Sequence, residues 1–197
     1  MAMKLRFMSP LLLVLTGCAI TSVQPLSVPL AYAPPDDPAP LRTPNCGAIA
    51  RVDVQDVRTD TQLGLRTLEG KPMTAPVTSS NDPAGWVHDG LLANLQRDGF
   101  VVAGKGPTLR IELRGLKTSE NVWHRAGYDA RIDLGATLRT PAGRVCWSAS
   151  LVGKGGNYGY AGSIENYRET LNEALNHAAQ SLVDAPTFES TLCQCAD

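Results

Sequence analysis

Three consecutive segments with a two-residue repeat of apolar and polar side chains constrain this chain more than anything else in it. Leu109, Ile111 and Leu113 alternate with Arg110, Glu112 and Arg114. Tyr128, Ala130, Ile132, Leu134, Ala136 and Leu138 alternate with Asp129, Arg131, Asp133, Thr137 and Arg139. Val145, Trp147, Ala149 and Leu151 alternate with Cys146, Ser148 and Ser150. Successive strand side chains point to opposite faces, so the alternation predicts one face on a core and one in water, as in antiparallel sheet. Thr140-Pro141-Ala142-Gly143 supplies a turn between the last two segments. The spacing predicts strands over 108–116, 128–139 and 144–152. It leaves 117–126 and 153–162 as loops at one end of the sheet.

A sheet with one apolar face needs a cover, and two segments supply it. Trp86, Val87, Leu91, Leu92 and Leu95 recur at helical spacing over 83–97, after the capping run Ser79-Ser80-Asn81-Asp82 and with Pro83 in the first turn. Gly99 marks the stop. Ile164, Tyr167, Leu171, Leu175, Ala178 and Leu182 form one stripe over 163–183, and Pro186 ends it. Residues 46–57 predict a buried strand and 100–102 a short one. The stretch 58–81, rich in Thr, Gly, Ser and Pro, predicts a long loop with a short strand near 63–68. The fold class that follows is α+β, a two-layer sandwich with a mixed, mostly antiparallel sheet and two helices packed on one face, in a single domain over 46–197. With 197 residues, 43% apolar, the chain is large enough for such a core; a net charge of −1 excludes the basic excess of a nucleic-acid binder.

Residues 1–17 read as an export signal. Lys4 and Arg6 precede an apolar stretch from Phe7 to Leu15, about half of the ~20 residues a membrane-spanning helix needs. Leu15-Thr16-Gly17-Cys18 has the form of a bacterial lipobox, which predicts cleavage before Cys18 and lipid on its thiol and amine; two or more acyl chains hold a protein on a membrane. The rival reading is an ordinary secretory signal with a chance cysteine. Ala19, where an inner-membrane retention signal would place Asp, favours the outer membrane. Cleavage removes two cations and no carboxylate, taking the net charge from −1 to −3. Residues 18–45 hold half of the 14 prolines and read as a lipidated cysteine with an extended tether, reaching about 80 Å at about 3.1 Å per residue.

The usual catalytic patterns are missing from the sequence. His88, His124 and His177 make neither an HxxxH nor an HExxH spacing. Gly153-Lys154-Gly155-Gly156-Asn157-Tyr158-Gly159 lacks the Gly-Lys-Ser/Thr ending of a phosphate loop and reads as a flexible connection from strand to helix. Ser163 lacks a nucleophile elbow, and Asp129 and Asp133 fall on the solvent face beside Arg131. Neither catalytic residues, nor a metal site, nor a cofactor is predicted. Setting Cys18 aside for lipid leaves Cys46, Cys146, Cys193 and Cys195, an even number in an exported chain. Cys46 and Cys146 are each expected to pair with one of Cys193 and Cys195, fixing the tail across the open sheet face. A Cys193–Cys195 bridge is the rival.

The motifs 52–60 (VDVQDVRTD), 95–100 (LQRDGF), 106–111 (GPTLRI) and 127–130 (GYDA) resemble those of YajG-type lipoproteins of Gram-negative bacteria, over roughly 47–185. The resemblance implies an outer-membrane lipoprotein facing the periplasm and no catalytic residues. The expected function is a non-enzymatic binding or accessory protein of the cell envelope, held to the membrane by its lipid and contacting a protein partner. The alternatives are an auxiliary subunit of an envelope transport or lipid-export machine, which an apolar cavity between sheet and helices would favour, and an envelope hydrolase. Trp123 and His124 in one predicted loop, with Tyr158 and Tyr160 in the other, are the candidate partner-binding residues; the competing expectation is that these rings fold back to cap the core.

Overall fold

The computed structural model describes residues 24–35, 42–44, 46, 48–68, 74–122 and 126–195. The signal segment, Cys18, residues 36–41, and Trp123 and His124 lie outside them. Its elements in chain order are β1 (Leu26–Val28), β2 (Ala48–Ile49), β3 (Arg51–Asp56), β4 (Gly64–Leu68), β5 (Thr74–Ser79), α1 (Pro83–Arg97), β6 (Val101–Val102), β7 (Thr108–Val122), β8 (Ala126–Arg139), β9 (Val145–Gly159), α2 (Ile164–Val183) and α3 (Phe188–Cys195). A seven-stranded mixed sheet runs β1-β5-β4-β7-β8-β9, with β3 also on β7, while β2 and β6 form a separate parallel pair. The helices cover one face, so the fold is an α+β sandwich.

The long antiparallel β7-β8-β9 unit is where the alternation put it, and longer than expected. Residues 117–122 and 153–159, read as loops, continue the ladder from Lys117↔Arg131 to Val122↔Ala126 and from Ile132↔Gly153 to Ala126↔Gly159. On the other side of β7, β3 pairs in parallel along 108–113 and β4 along 118–122. The register of β7 slips between Leu113 and Gly115, where its neighbour changes from β3 to β4. That extra residue moves the inward face from odd to even positions, so Leu116, Thr118 and Glu120 point to the core after Leu109, Ile111 and Leu113.

Two further readings are corrected. Residues 74–79 form β5, antiparallel to β4, because Ala75 and Val77 alternate into the core between exposed neighbours. Residues 24–35, read as tether, belong to the domain. Leu26–Val28 adds to β5 in parallel, and Val28 and Leu30 are buried. Beyond Leu30 the chain lies on α1 and α2 under asparagine clamps. Asn81 bonds both backbone groups of Leu30 at 2.7 Å, and Tyr32 joins Asn94 and Asn176 at 2.9 Å each. Prolines at 25, 29, 34 and 35 suit this edge path, which asks for few backbone donors.

The helix layer follows from its caps and stripes. Asp82 caps α1 through Ala84 N and Gly85 N, and Ser163 caps α2 through Asn166 N. Trp86, Val87, Leu91 and Leu95 join Tyr167, Leu171, Leu175 and Leu182 in one buried core between helices and sheet. The glycine run is not a flexible connection. It is the half of β9 on which α2 lies directly: a Cβ on Gly153 would stand 1.8 Å from Ala174 O, and one on Gly155 2.1 Å from Thr170 O.

Cys46 bonds to Cys193 and Cys146 to Cys195. The tail they hold does not cross the open sheet face. It forms α3 in the helix layer, with Phe188, Leu192 and Cys195 buried and the Phe188 ring packed at a tilt against Phe100 and Trp147. A second register slip, between Leu138 and Arg139, turns Val145 out to solvent and leaves Cys146 packed on the core side, where it reaches α3.

Candidate functional site

The end of the sheet formed by the last residues of β4, β7 and β9 and the first of β8 gathers the described candidate residues. Tyr158 sits opposite Gly127, one position before β9 ends, and Tyr160 follows in the turn to α2. The two residues are 79% and 89% exposed, so neither caps the core. Capping falls instead to Tyr128 and Tyr167, packed edge to face with centroids 4.9 Å apart and almost fully buried.

Beneath the exposed pair lies a buried carboxylate. Glu120, brought to the inner face by the β7 slip, is inaccessible to solvent. Arg66 from β4 donates from Nε to its Oε2 at 2.5 Å, and the Tyr167 hydroxyl donates to the same oxygen at 2.9 Å. Gly162 N donates to Oε1 at 2.5 Å. The Tyr128 hydroxyl donates to the Tyr160 carbonyl, accepts from Ser163 N at 3.1 Å, and lies 3.3 Å from Glu120 Oε1. One carboxylate therefore fixes β4, β7, β8 and the turn that carries Tyr160 and leads into the cap of α2.

The electrostatics match a structural role. Burial pushes the Tyr167 hydroxyl far above the ordinary phenol range, and the neighbouring Glu120 charge adds to the shift. Burial also raises Tyr128, partly offset by the hydrogen bond from Ser163 N. Both phenols stay protonated and available to donate. Arg66, Tyr167 and Gly162 donate to the Glu120 oxygens, and the residue has no solvent-accessible surface.

The remaining titratable groups singled out by type are dispersed. Arg131 forks onto Asp133 at 3.0 and 2.6 Å on the outer face, and Arg168 pairs with Glu165. His88 faces Asp89, while His177 Nδ1 lies 2.6 Å from Lys154 O and Glu173 accepts from Gly156 N at 2.8 Å. The last two cover backbone groups on the outer edge of β9, which blunts that edge against pairing with another chain. Among the described residues, no group of three or more His, Cys, Asp or Glu could hold a metal ion. A surface groove of about 610 Å³ beside Ala33, Pro35, Arg97, Asn176 and His177 lies on the outside of α2, not under it.

Sequence reasoning pointed to Tyr158 and Tyr160 and missed Arg66, Glu120, Tyr128 and Tyr167 as a group. Alternation counted without the slip puts Glu120 in water, and nothing local marks the slip.

A family model described as "Uncharacterized lipoprotein" (Lipoprotein_16) matches residues 39–192. No curated protein matches the chain. Among solved structures, it is similar to protein XCC0632 from Xanthomonas campestris, of DUF330, with 12% identity, a TM-score of 0.52, and coverage of 80% of this chain and 96% of that one. An uncharacterised protein of known structure is 9% identical at a TM-score of 0.44, over 83% of this chain and 98% of its own. At these identities the likeness to XCC0632 concerns the fold alone.

Proposed function

Because the chain belongs to this family of uncharacterised lipoproteins, we propose that it is an outer-membrane-anchored lipoprotein on the periplasmic side, acting as a non-enzymatic binding or accessory protein of the cell envelope. Cys18 carries the lipid, and the reading as a YajG-type member rests on the four motifs quoted above. The interaction surface is the tyrosine end. The observation that carries this reading is the exposed pair Tyr158 and Tyr160, the first on strand β9 and the second with its carbonyl held by the Tyr128 hydroxyl beside the Glu120–Arg66 pair. Exposed aromatic rings on a fixed backbone lose little entropy on docking and are favoured anchors at interfaces. The sealed Glu120 weighs against a hydrolase built on that carboxylate.

The test places a photoreactive residue at position 158 or 160 in the living envelope, with Ser148 on the same strand as the comparison. Adducts with an envelope component are expected from the tyrosine positions and not from Ser148. Equal yields at all three would overturn the assignment. In parallel, Cys18→Ala is expected to move the protein from membranes to the periplasmic fraction; unmodified Cys18 in the wild-type mass spectrum would end the lipoprotein reading.

A further inference from the structure

The two exposed tyrosines share their end of the sheet with the point where the chain departs for Cys18. Arg66 makes the link. Its Nη1 donates to the Gln24 carbonyl at 2.8 Å, its Nε holds Glu120, and its Nη2 lies 2.7 Å from the place a Cβ on Gly162 would occupy. Gln24 and the turn after Tyr160 thus meet on one guanidinium. Only five residues, 19–23, separate Gln24 from Cys18. The six Cα steps from Cys18 to Gln24 span at most about 20 Å. Strand β9, with 15 residues, carries the sheet about 45 Å from this end to Val145. A lipid on Cys18 therefore sits within reach of the tyrosines and out of reach of the disulfide-bonded end.

From this geometry we propose that the tyrosine end rests on the phospholipid headgroup layer that holds the Cys18 acyl chains, with Tyr158 and Tyr160 seated among the headgroups and α3 with its two disulfides pointing away. The inference rests on the lipoprotein reading above and names the partner of that surface. A phenol ring, apolar in body and polar at its tip, suits the membrane–water interface. The short link keeps the rings at an effective concentration high enough for a weak contact to persist. With a net charge of −3 after cleavage, the rings and the link supply the contact, and anionic lipid is not required. The other tyrosines, Tyr32, Tyr128 and Tyr167, are hydrogen-bonded within the fold and serve as internal references.

The experiment is hydroxyl-radical footprinting, read residue by residue by mass spectrometry. Full-length lipidated protein in vesicles of phosphatidylcholine and phosphatidylethanolamine is compared with the Cys18→Ala protein mixed with the same vesicles. Tyr158 and Tyr160 are expected to label several-fold more slowly in the lipidated sample, with Val101 and Val145 unchanged. Protein that floats with vesicles but keeps both tyrosines fully reactive overturns the orientation and leaves the anchor standing. Protection seen in native envelopes and absent in protein-free vesicles identifies a protein partner and overturns it as well. Protection that appears only with anionic lipid overturns the ring-based contact. Protein that neither floats nor carries lipid on Cys18 fails the lipoprotein reading itself, and the proposal with it.

Discussion

Replacing Gly155 by Ala should separate the structural role of the glycine run from any role in flexibility. The added Cβ would stand 2.1 Å from Thr170 O and 2.9 Å from Ala174 N, both backbone atoms of α2 that cannot rotate away. Restoring ordinary contact near 3.4 Å moves the helix off β9 by about 1.3 Å. That helix carries Tyr167, Leu171, Leu175 and Leu182 in the core, so the shift loosens packing along its whole inner face. Overpacking costs typically 1–3 kcal/mol, and a backbone obstacle puts this case near the top, about 3 kcal/mol. For a domain of this size that lowers Tm by roughly 6–12 °C. Gly156, next in the strand, points the other way: its nearest neighbour is Tyr128 O at 3.8 Å, and its φ is not positive. Gly156→Ala should therefore be neutral or gain about 0.5 kcal/mol by restricting the unfolded chain. Urea unfolding of both variants in the Cys18→Ala background, with disulfides intact, measures the difference. Equal stabilities for the two variants would refute the claim that α2 rests on the glycine backbone.

Arg66→Ala leaves the Glu120 carboxylate buried without its cation and should cost about 3–5 kcal/mol, while adding Glu120→Gln should recover part of it; additive losses in a double-mutant cycle would show that the pair is not coupled. The Tyr167 and Tyr128 hydroxyls titrate higher in the folded than in the unfolded chain, so stability is full below about pH 10 and falls above it by up to about 1.4 kcal/mol per pH unit per tyrosine; Tyr167→Phe should flatten the decline, and an unchanged slope would count against the buried network. Reducing the Cys46–Cys193 and Cys146–Cys195 bridges opens loops spanning 147 and 49 residues, worth about 5 and about 4 kcal/mol in the chain-entropy model and less than their sum together, since both hold the same short helix. Loss of α3 protection in hydrogen exchange is the expected readout; a reduced protein within about 1 kcal/mol of the oxidised one would show that packing of Phe188 and Leu192 suffices.

Local periodicity was enough to identify β7, β8, β9, α1 and α2, because each of these elements has a face that must be buried and a period that reveals it. The cap at Asp82 and the stop at Gly99 were legible for the same reason: a helix end needs a partner within a few residues. What depended on contacts distant in sequence was not legible. The slip at Arg114 reverses which side of β7 faces inward, and with it the fate of Glu120, yet it is set by β3 giving way to β4 along the opposite edge. Residues 24–35 look like spacer because prolines hide a strand whose partners, β5 and Asn81, lie about 50 residues away. The glycines of β9 look flexible until α2 is laid on them. Composition and pattern decide which segments have a face to bury; only the tertiary structure decides what each face meets, because register, close backbone approach and charge burial are set by neighbours the local sequence does not contain.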